Sequence, residues 1–537
     1  MKKIGSLFIK TVSVVAVATV IAIVLRGVSY RSENGYVVPE TKYGAFLAAQ
    51  HAVYVNDFDT AAKFGEKLDA GDAMVVQNIK MMSVFLSGKM PEDVSDLKKE
   101  NGTPARLVYD VYLINNDKWD EMYSRHKNDK SALAAPLRIW SSIAINHKTE
   151  ALKFIDSLET SDSWKLFVRG QIYAETGDVS KAADVFSSVR PAFMNINDYL
   201  YIMSFYRHNN MTDLAVALHE AFTSQPGGMF LAGFTNIPDW SIFSGQKNAL
   251  AFSLVQNVSH TQVMMYSDLS VLLLRFAQII GQGGIAQSDA IDYYLGQYFF
   301  NNGGDYESYF SKIKSDSPYY PFAMLRIAEG SGDVLKLRRV LHSYPMFVPA
   351  INKLVAYYVA HGDKRAALKI LNRALDNDAL TDENHAFFLK ARARVYFTFG
   401  DMNKAQSDIR AASDVLDLDA DILALQAKIW AAENREIDTA YEYAMNLVKR
   451  NPSDVFAWDV LGRVVAAREG GDAALELIER VGDVAKECSS LFEHLGDLYI
   501  DIGNDKMAKD AYLRAIELSD DGLVVVPRVR QKLRNIK

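Results

Sequence analysis

An alanine that returns at a nearly fixed interval constrains this chain more than any other feature. Ala367, Ala405, Ala440, Ala474 and Ala508 recur through the C-terminal half, and the last two gaps are 34 residues each. That interval is the length of one helical hairpin. A chain patterned in this way stacks similar units along a line, each burying its apolar face on the next.

The clearest unit runs from Leu491 to Leu518 and carries Phe492, Leu495, Gly496, Tyr499, Gly503, Ala508, Tyr512 and Ala515. The unit before it carries Trp458, Leu461, Gly462, Val465, Ala474 and Ile478, and Pro452 closes the one before that. Each residue type has a physical role. Gly462 and Gly496 are expected where a first helix crosses its neighbour too closely for a side chain. Ala474 and Ala508 are expected to do the same for the second helix. Gly503 follows the first helix, where the chain must enter the left-handed region to reverse. The same roles fall to Gly362 with Ala367, to Gly400 with Ala405, and to Gly170, Gly177 and Ala182 around Trp164. Further left-handed turns are expected at Asn56, Gly88, Asn116, Asn146 and Asn210.

This spacing of a large residue, Leu-Gly, an aromatic, a turn Gly, a small Ala, a second aromatic and a closing Pro resembles the tetratricopeptide repeat. The resemblance is strong from Ile351 to Leu518 and looser upstream. It implies an all-α, right-handed solenoid of helical hairpins whose first helices line a concave groove. Such grooves receive a peptide or helix of another protein. On that template the exposed first-helix positions are Lys390, Arg394, Asp459, Arg463, Glu493 and Asp497. The ordered Lys and Asn set with which some family members clamp a terminal carboxylate is not found in consecutive units.

The chain divides on this reading into an N-terminal segment at 1–31, degenerate repeats at 32–223, an irregular helical joint at 224–318, a regular solenoid at 319–518 and a capping helix at 519–537. The joint is marked by Gln225-Pro226-Gly227-Gly228 and Gly281-Gln282-Gly283-Gly284, which break the period. In the last segment Val529, Leu533 and Ile536 lie at helical spacing among Arg528, Arg530, Lys532, Arg534 and Lys537. A polar-faced helix closing the last repeat fits this pattern, with a basic patch for an anionic partner as the alternative.

The first residues carry a different signal. Met1-Lys2-Lys3 precedes an apolar run from Thr11 to Leu25 that ends at Arg26. The 22 residues from Ile4 to Leu25 would span about 33 Å as a helix, enough to cross a bilayer core. A single-pass anchor or uncleaved signal is expected because no clean small-residue cleavage site follows the run, and a cleaved secretory signal is the alternative because a basic start and a short apolar run also fit one. The basic residues Lys2, Lys3 and Lys10 before the run favour an exported solenoid, on the periplasmic or extracytoplasmic side of a bacterial plasma membrane. A role in cell-envelope assembly is the corresponding expectation, and a cytoplasm-facing regulator is its alternative.

Signals for catalysis are sparse. The ten histidines are dispersed, with no HExxH pair and no metal spacing with Cys. The lone Cys488 is expected to be a packing residue. No nucleophile elbow is present, and the glycines after Ile280 do not follow a strand. No catalytic, cofactor-binding or metal-binding residue is assigned. Were there an enzyme site or an accessory domain of one, it would fall between Ser224 and Gly304. The formal net charge of -7 gives no basic surface for nucleic acid.

Overall fold

The computed structural model describes residues 42–536 apart from 69–73, 92–93, 95–96, 99–102, 130, 132–133, 226, 233–244, 261–267, 282–288, 379 and 482–487. The expected membrane segment at 1–31 lies outside the described residues. Among the described residues, no helix is long and apolar enough to cross a membrane. All regular structure among them is helical.

The chain forms two compact units. One takes Met1–Asn210 with Asp239–Ile313, and the other takes Met211–Pro238 with Lys314–Lys537. The stretch expected as a joint, 224–318, is therefore shared between them. Helix Gln246–His260 buries residues all round, from Asn248 through Gln256, as an interior helix does. Trp140 Nε1 donates to Ser253 Oγ at 2.7 Å, tying it into the first unit. The short turn Met229–Leu231 belongs to the second unit, where Phe230 meets Phe322 and Phe347 with ring centroids 5.1 and 5.9 Å away.

In the first unit the turn logic holds at Asn56, Gly88, Asn146, Gly177 and Asn210, all with positive φ. At the expected Asn116 it does not. The Asn116 amide still donates to Tyr112 O, so the helix continues one residue further and Asp117 takes the left-handed position at φ 55°. Helices Asp162–Glu175 and Val179–Ser187 form the best hairpin. A Cβ on Gly170 would lie 2.3 Å from Phe186 Cε1, inside the ring's contact distance. The same device occurs unannounced in the irregular stretch. A Cβ on Gly296 would lie 2.5 Å from Phe310 Cε1.

The second unit holds the regular array, whose helices are labelled here in order. They are α1 Val348–Ala360, α2 Lys364–Leu375, α3 Asp382–Thr398, α4 Met402–Ser413, α5 Ala420–Ala432, α6 Ile437–Arg450, α7 Val455–Glu469, α8 Gly471–Val481, α9 Ser489–Asp501, α10 Asp505–Glu517 and α11 Val526–Arg534. Consecutive odd and even helices pair as hairpins. Ala367, Ala405, Ala440, Ala474 and Ala508 are each fully buried, the small residues on which the hairpins close. Gly362, Gly400 and Gly503 reverse the chain with φ of 79°, 83° and 74°. Side chains start several helices: Asp363 accepts from the Ala366 amide, Asp419 from Ile422 and Asn504 from Met507. Cys488 is fully buried, and burial pushes its thiol up to about 12, so it packs as a small apolar group.

Candidate protein-docking face

The odd-numbered helices of the array share an inner face. Residues from α3, α5, α7 and α9 line one cavity of about 260 Å³, among them Arg394, Phe397, Lys428, Phe456 and Ser490. Asp521 and Leu523, from the segment after α10, complete its wall. Phe456 is 49% exposed, a large apolar side chain held open to solvent in that lining.

The six charged positions expected on the groove all belong to odd helices, but the structure uses them in two different ways. Four of them latch one hairpin to the next. Lys390 Nζ of α3 reaches both carboxylate oxygens of Asp419 at 3.1 and 3.0 Å and Asp421 at 2.9 Å. Asp419 thus caps α5 and receives a cation from the preceding repeat at the same time. Arg394, half exposed, lies 3.5 Å from Asp421. In the next pair, Lys428 of α5 bonds to Asp459 of α7. Arg463 Nε donates to Asp459 at 3.0 Å, and its Nη2 donates to Ser490 O of α9 at 2.8 Å. Ser490 Oγ donates to Asp459 at 2.9 Å.

Asp459 is completely buried, contrary to its expected exposure. Burial alone would raise its pKa, but the Arg463 and Lys428 charges hold the carboxyl well below the usual range. A buried carboxylate with two cations and a hydroxyl has its lone pairs satisfied, the condition under which such a group is tolerated. His494 lies beside this cluster. Burial and the nearby Arg463 charge lower its pKa to about 3, so the imidazole is neutral. Asp408 of α4 is also buried and receives Arg392 of α3 through two bonds of 2.7 and 2.8 Å.

Glu493 and Asp497 of α9 have a different partner, the chain's own last helix. Arg528 Nε and Nη2 donate to the two Glu493 oxygens at 2.9 and 2.7 Å. Lys532 Nζ lies 3.0 Å from Glu493 and donates to both oxygens of Asp497 at 2.7 Å. Despite its burial, Glu493 is held below the usual carboxylate range by Arg528 and Lys532.

The segment between α10 and α11 was invisible to repeat spacing. Asp521 accepts from the Ser489 amide at 2.9 Å and from Ser489 Oγ at 2.5 Å, so it caps α9 from outside that helix. Gly522 turns at φ 71°, and a Cβ there would lie 2.5 Å from Ala356 Cα of α1. Val525 and Pro527 pack beside Gly362 in the α1–α2 turn. Arg528 Nη1 donates to Thr398 O at the end of α3, at 2.8 Å. Val524 and Val529 are fully buried. Only Val529 and Leu533, at helical spacing, hinted at this contact.

Among the described residues of the first unit, Gln171 and Glu175 are polar groups that no sequence pattern singles out. Gln171, fully buried, has no hydrogen-bond partner on either amide atom. One turn on, burial raises the Glu175 carboxyl to about 8. Such groups are rare in a well-satisfied interior.

Stacked hairpins with a shared inner face define a helical-repeat protein. Residues 490–521 match the family model of the tetratricopeptide repeat, so that unit is one such repeat. No curated protein matches the chain in sequence. Many solved structures are similar to it, two of them as follows. A tetratricopeptide repeat protein from Parabacteroides merdae is 15% identical with a TM-score of 0.36, covering 46% of this chain and 98% of its own. The APC/C hetero-tetramer Cut9-Hcn1 gives 12% identity and a TM-score of 0.32, with 92% of this chain and 97% of that one covered.

Proposed function

We propose that the chain is a protein–protein interaction scaffold that receives a segment of another protein on the inner face of α3, α5, α7 and α9. The observation that carries this reading is the lined cavity with Phe456 held open among Arg394, Asp421 and Lys428. An exposed aromatic flanked by charges of both signs is the composition of a peptide-docking site, where the ring anchors and the charges orient. The apolar run from Thr11 to Leu25 supports a second part of the proposal. It would tether the scaffold to a plasma membrane, on the extracytoplasmic side, where envelope assembly is the corresponding process.

The docking reading is tested by placing a photo-crosslinking residue at Phe456 and, as a control, at Leu513, an exposed apolar position on α10. Crosslinking in intact cells should give discrete protein adducts from position 456 and none from 513. Equal adducts from both positions would overturn the inner-face assignment. For the tether, carbonate-washed membranes should retain the full-length chain, and recovery in the wash would reverse that part alone.

A further inference from the structure

We propose that the exposed face of α2 is a docking site for an acidic helical segment of a partner protein. This surface is separate from the inner face of the odd helices, because α2 contributes no residue to the cavity there.

α2 reads Lys-Arg-Ala-Ala-Leu-Lys-Ile-Leu-Asn-Arg-Ala-Leu, with four cations and no acid. Every other even helix of the array carries at least one acid. Ala367, Leu371 and Ala374 form the side that α2 buries. Arg365, Lys369 and Arg373 fall on the exposed side, at i, i+4 and i+8. Their side chains make no hydrogen bond or ion pair among the described residues. Lys364, by contrast, reaches Asp401 at the start of α4. Two rules of helix stability are broken here together. Like charges one turn apart repel each other. Cations in the first turn oppose the positive end of the helix dipole, with Asp363 at the N-cap as the one local offset. No contact within the array compensates the unpaired cations, and departures of this kind from local stability mark functional surfaces. An incoming anion turns the repulsion into attraction.

The shape of the surface narrows the ligand. The same residues line a broad depression of about 810 Å³, with Leu368 half-buried in it. Its one carboxylate, Asp376, stands past the end of α2 and acts on Arg392 of α3. Successive cations lie about 6 Å apart along the helix axis. Carboxylates at every fourth position of a partner helix repeat at that interval, and an aliphatic residue between them meets Leu368. A lipid surface is flat and meets several helices at once, not a depression along one. A single nucleic-acid strand needs rings to stack on, and no aromatic residue lines the depression.

The test uses the full-length chain and a fluorescent synthetic helix with Glu at every fourth position and Leu between, followed by anisotropy. The same peptide with Gln in place of Glu is the control ligand. Combining Arg365→Gln, Lys369→Gln and Arg373→Gln should weaken binding at least about tenfold. Combining Lys449→Gln, Lys506→Gln and Lys509→Gln removes the same charge from exposed positions on α6 and α10. That variant should stay within about twofold of the wild type. Equal loss in both triple variants, or equal binding of the Gln and Glu peptides, would overturn the proposal. Because the repulsion leaves with the charges, the α2 variant should melt at or above the wild-type temperature. Melting below it would show that the stripe already has a partner within the fold, and would also overturn the proposal. Vesicles of phosphatidylserine with phosphatidylcholine, and a thymidine oligonucleotide, serve as the other polyanions. Tighter binding of either one than of the Glu peptide, lost in the α2 variant, would give the face to that class and overturn the choice of partner.

Discussion

Gly496 has no side chain because the ring of Tyr512 occupies the place where one would begin, with Cε1 2.3 Å from the position of a Cβ. The two residues face each other within one hairpin, α9 against α10. Tyr512 is held there by its hydroxyl, which donates to Asp497 Oδ1 at 2.7 Å. The ring cannot retreat without giving up that bond. Gly496→Ala should therefore cost roughly 1–3 kcal/mol through overpacking. Combining it with Tyr512→Leu should cost less than the sum of the two single changes. Chemical denaturation of the three variants checks this, and strict additivity would show that the contact is not the cause.

Asp459 is the deepest charge of the array. Asp459→Asn leaves Lys428 and Arg463 facing a neutral amide and should destabilise the second unit by about 3–5 kcal/mol, the usual cost of breaking a buried pair. The pH dependence has a definite sign. Because the folded carboxyl titrates below its unfolded value, its stabilising contribution is complete above the ordinary carboxylate pKa of about 3.9 and is lost as pH falls below it. Acid unfolding of the wild type should be steeper than that of the variant between pH 4 and pH 2, on the order of one extra proton taken up. Parallel curves would show that Asp459 is not the group responsible.

Glu175 titrates with the opposite sense. Its folded pKa, about 8, lies above the unfolded value, so the folded state holds a proton that the unfolded state releases. Stability of the first unit should fall as pH rises from the unfolded carboxylate value toward 8, and level off beyond it. Glu175→Gln should match the wild type near pH 4 and exceed its melting temperature at pH 8.5. Equal melting at both pH values would place the carboxylate in a more solvated position than the structure gives it.

Lys390 and Arg394 lie one turn apart and should not behave alike. Lys390 is nearly buried between Asp419 and Asp421, whereas Arg394 is half exposed. Lys390→Glu places three negative charges together and should lower the melting temperature of the second unit clearly. Arg394→Glu should stay within about half a kcal/mol of the wild type. Thermal melts of the two single variants suffice, and a larger loss from Arg394→Glu would contradict the latch described here.

Much of the array was legible because its rules are local. Gly462 and Gly496 are fixed by contacts inside one hairpin and Gly503 by its own left-handed backbone, so their spacing survives in the sequence, as does that of the buried alanines. The hairpin with Gly296 and Phe310 was missed because these residues are 14 apart, whereas Gly496 and Tyr512 are 16 apart. Asn116 and Asp117 are adjacent residues that both tolerate a left-handed turn, and only the hydrogen bond to Tyr112 O decides between them. The charges pass as free because most of their partners lie in another repeat or in α11. Lys428 and Asp459 are 31 residues apart, and no helical periodicity links them. The contact of Arg528 with Thr398, 130 residues apart, leaves no trace in sequence spacing at all.

That last contact alters how the second unit should come apart. A linear stack of hairpins has two free ends, each bounded by one neighbour, and such arrays fray inward from their ends. Here the segment after α10 reaches back through Gly522 to Ala356 of α1 and through Arg528 to Thr398 of α3. The first hairpin, already joined to the preceding helices through Lys353 with Glu329 and Tyr358 with Arg338, is thereby also tied to the segment that follows the last one, and the row closes back on itself. Opening it anywhere then breaks two interfaces instead of one. The five hairpins should accordingly exchange their amide hydrogens as a single cooperative block, and Gly522→Ala, which forces the segment off Ala356, should restore the graded protection of an open stack.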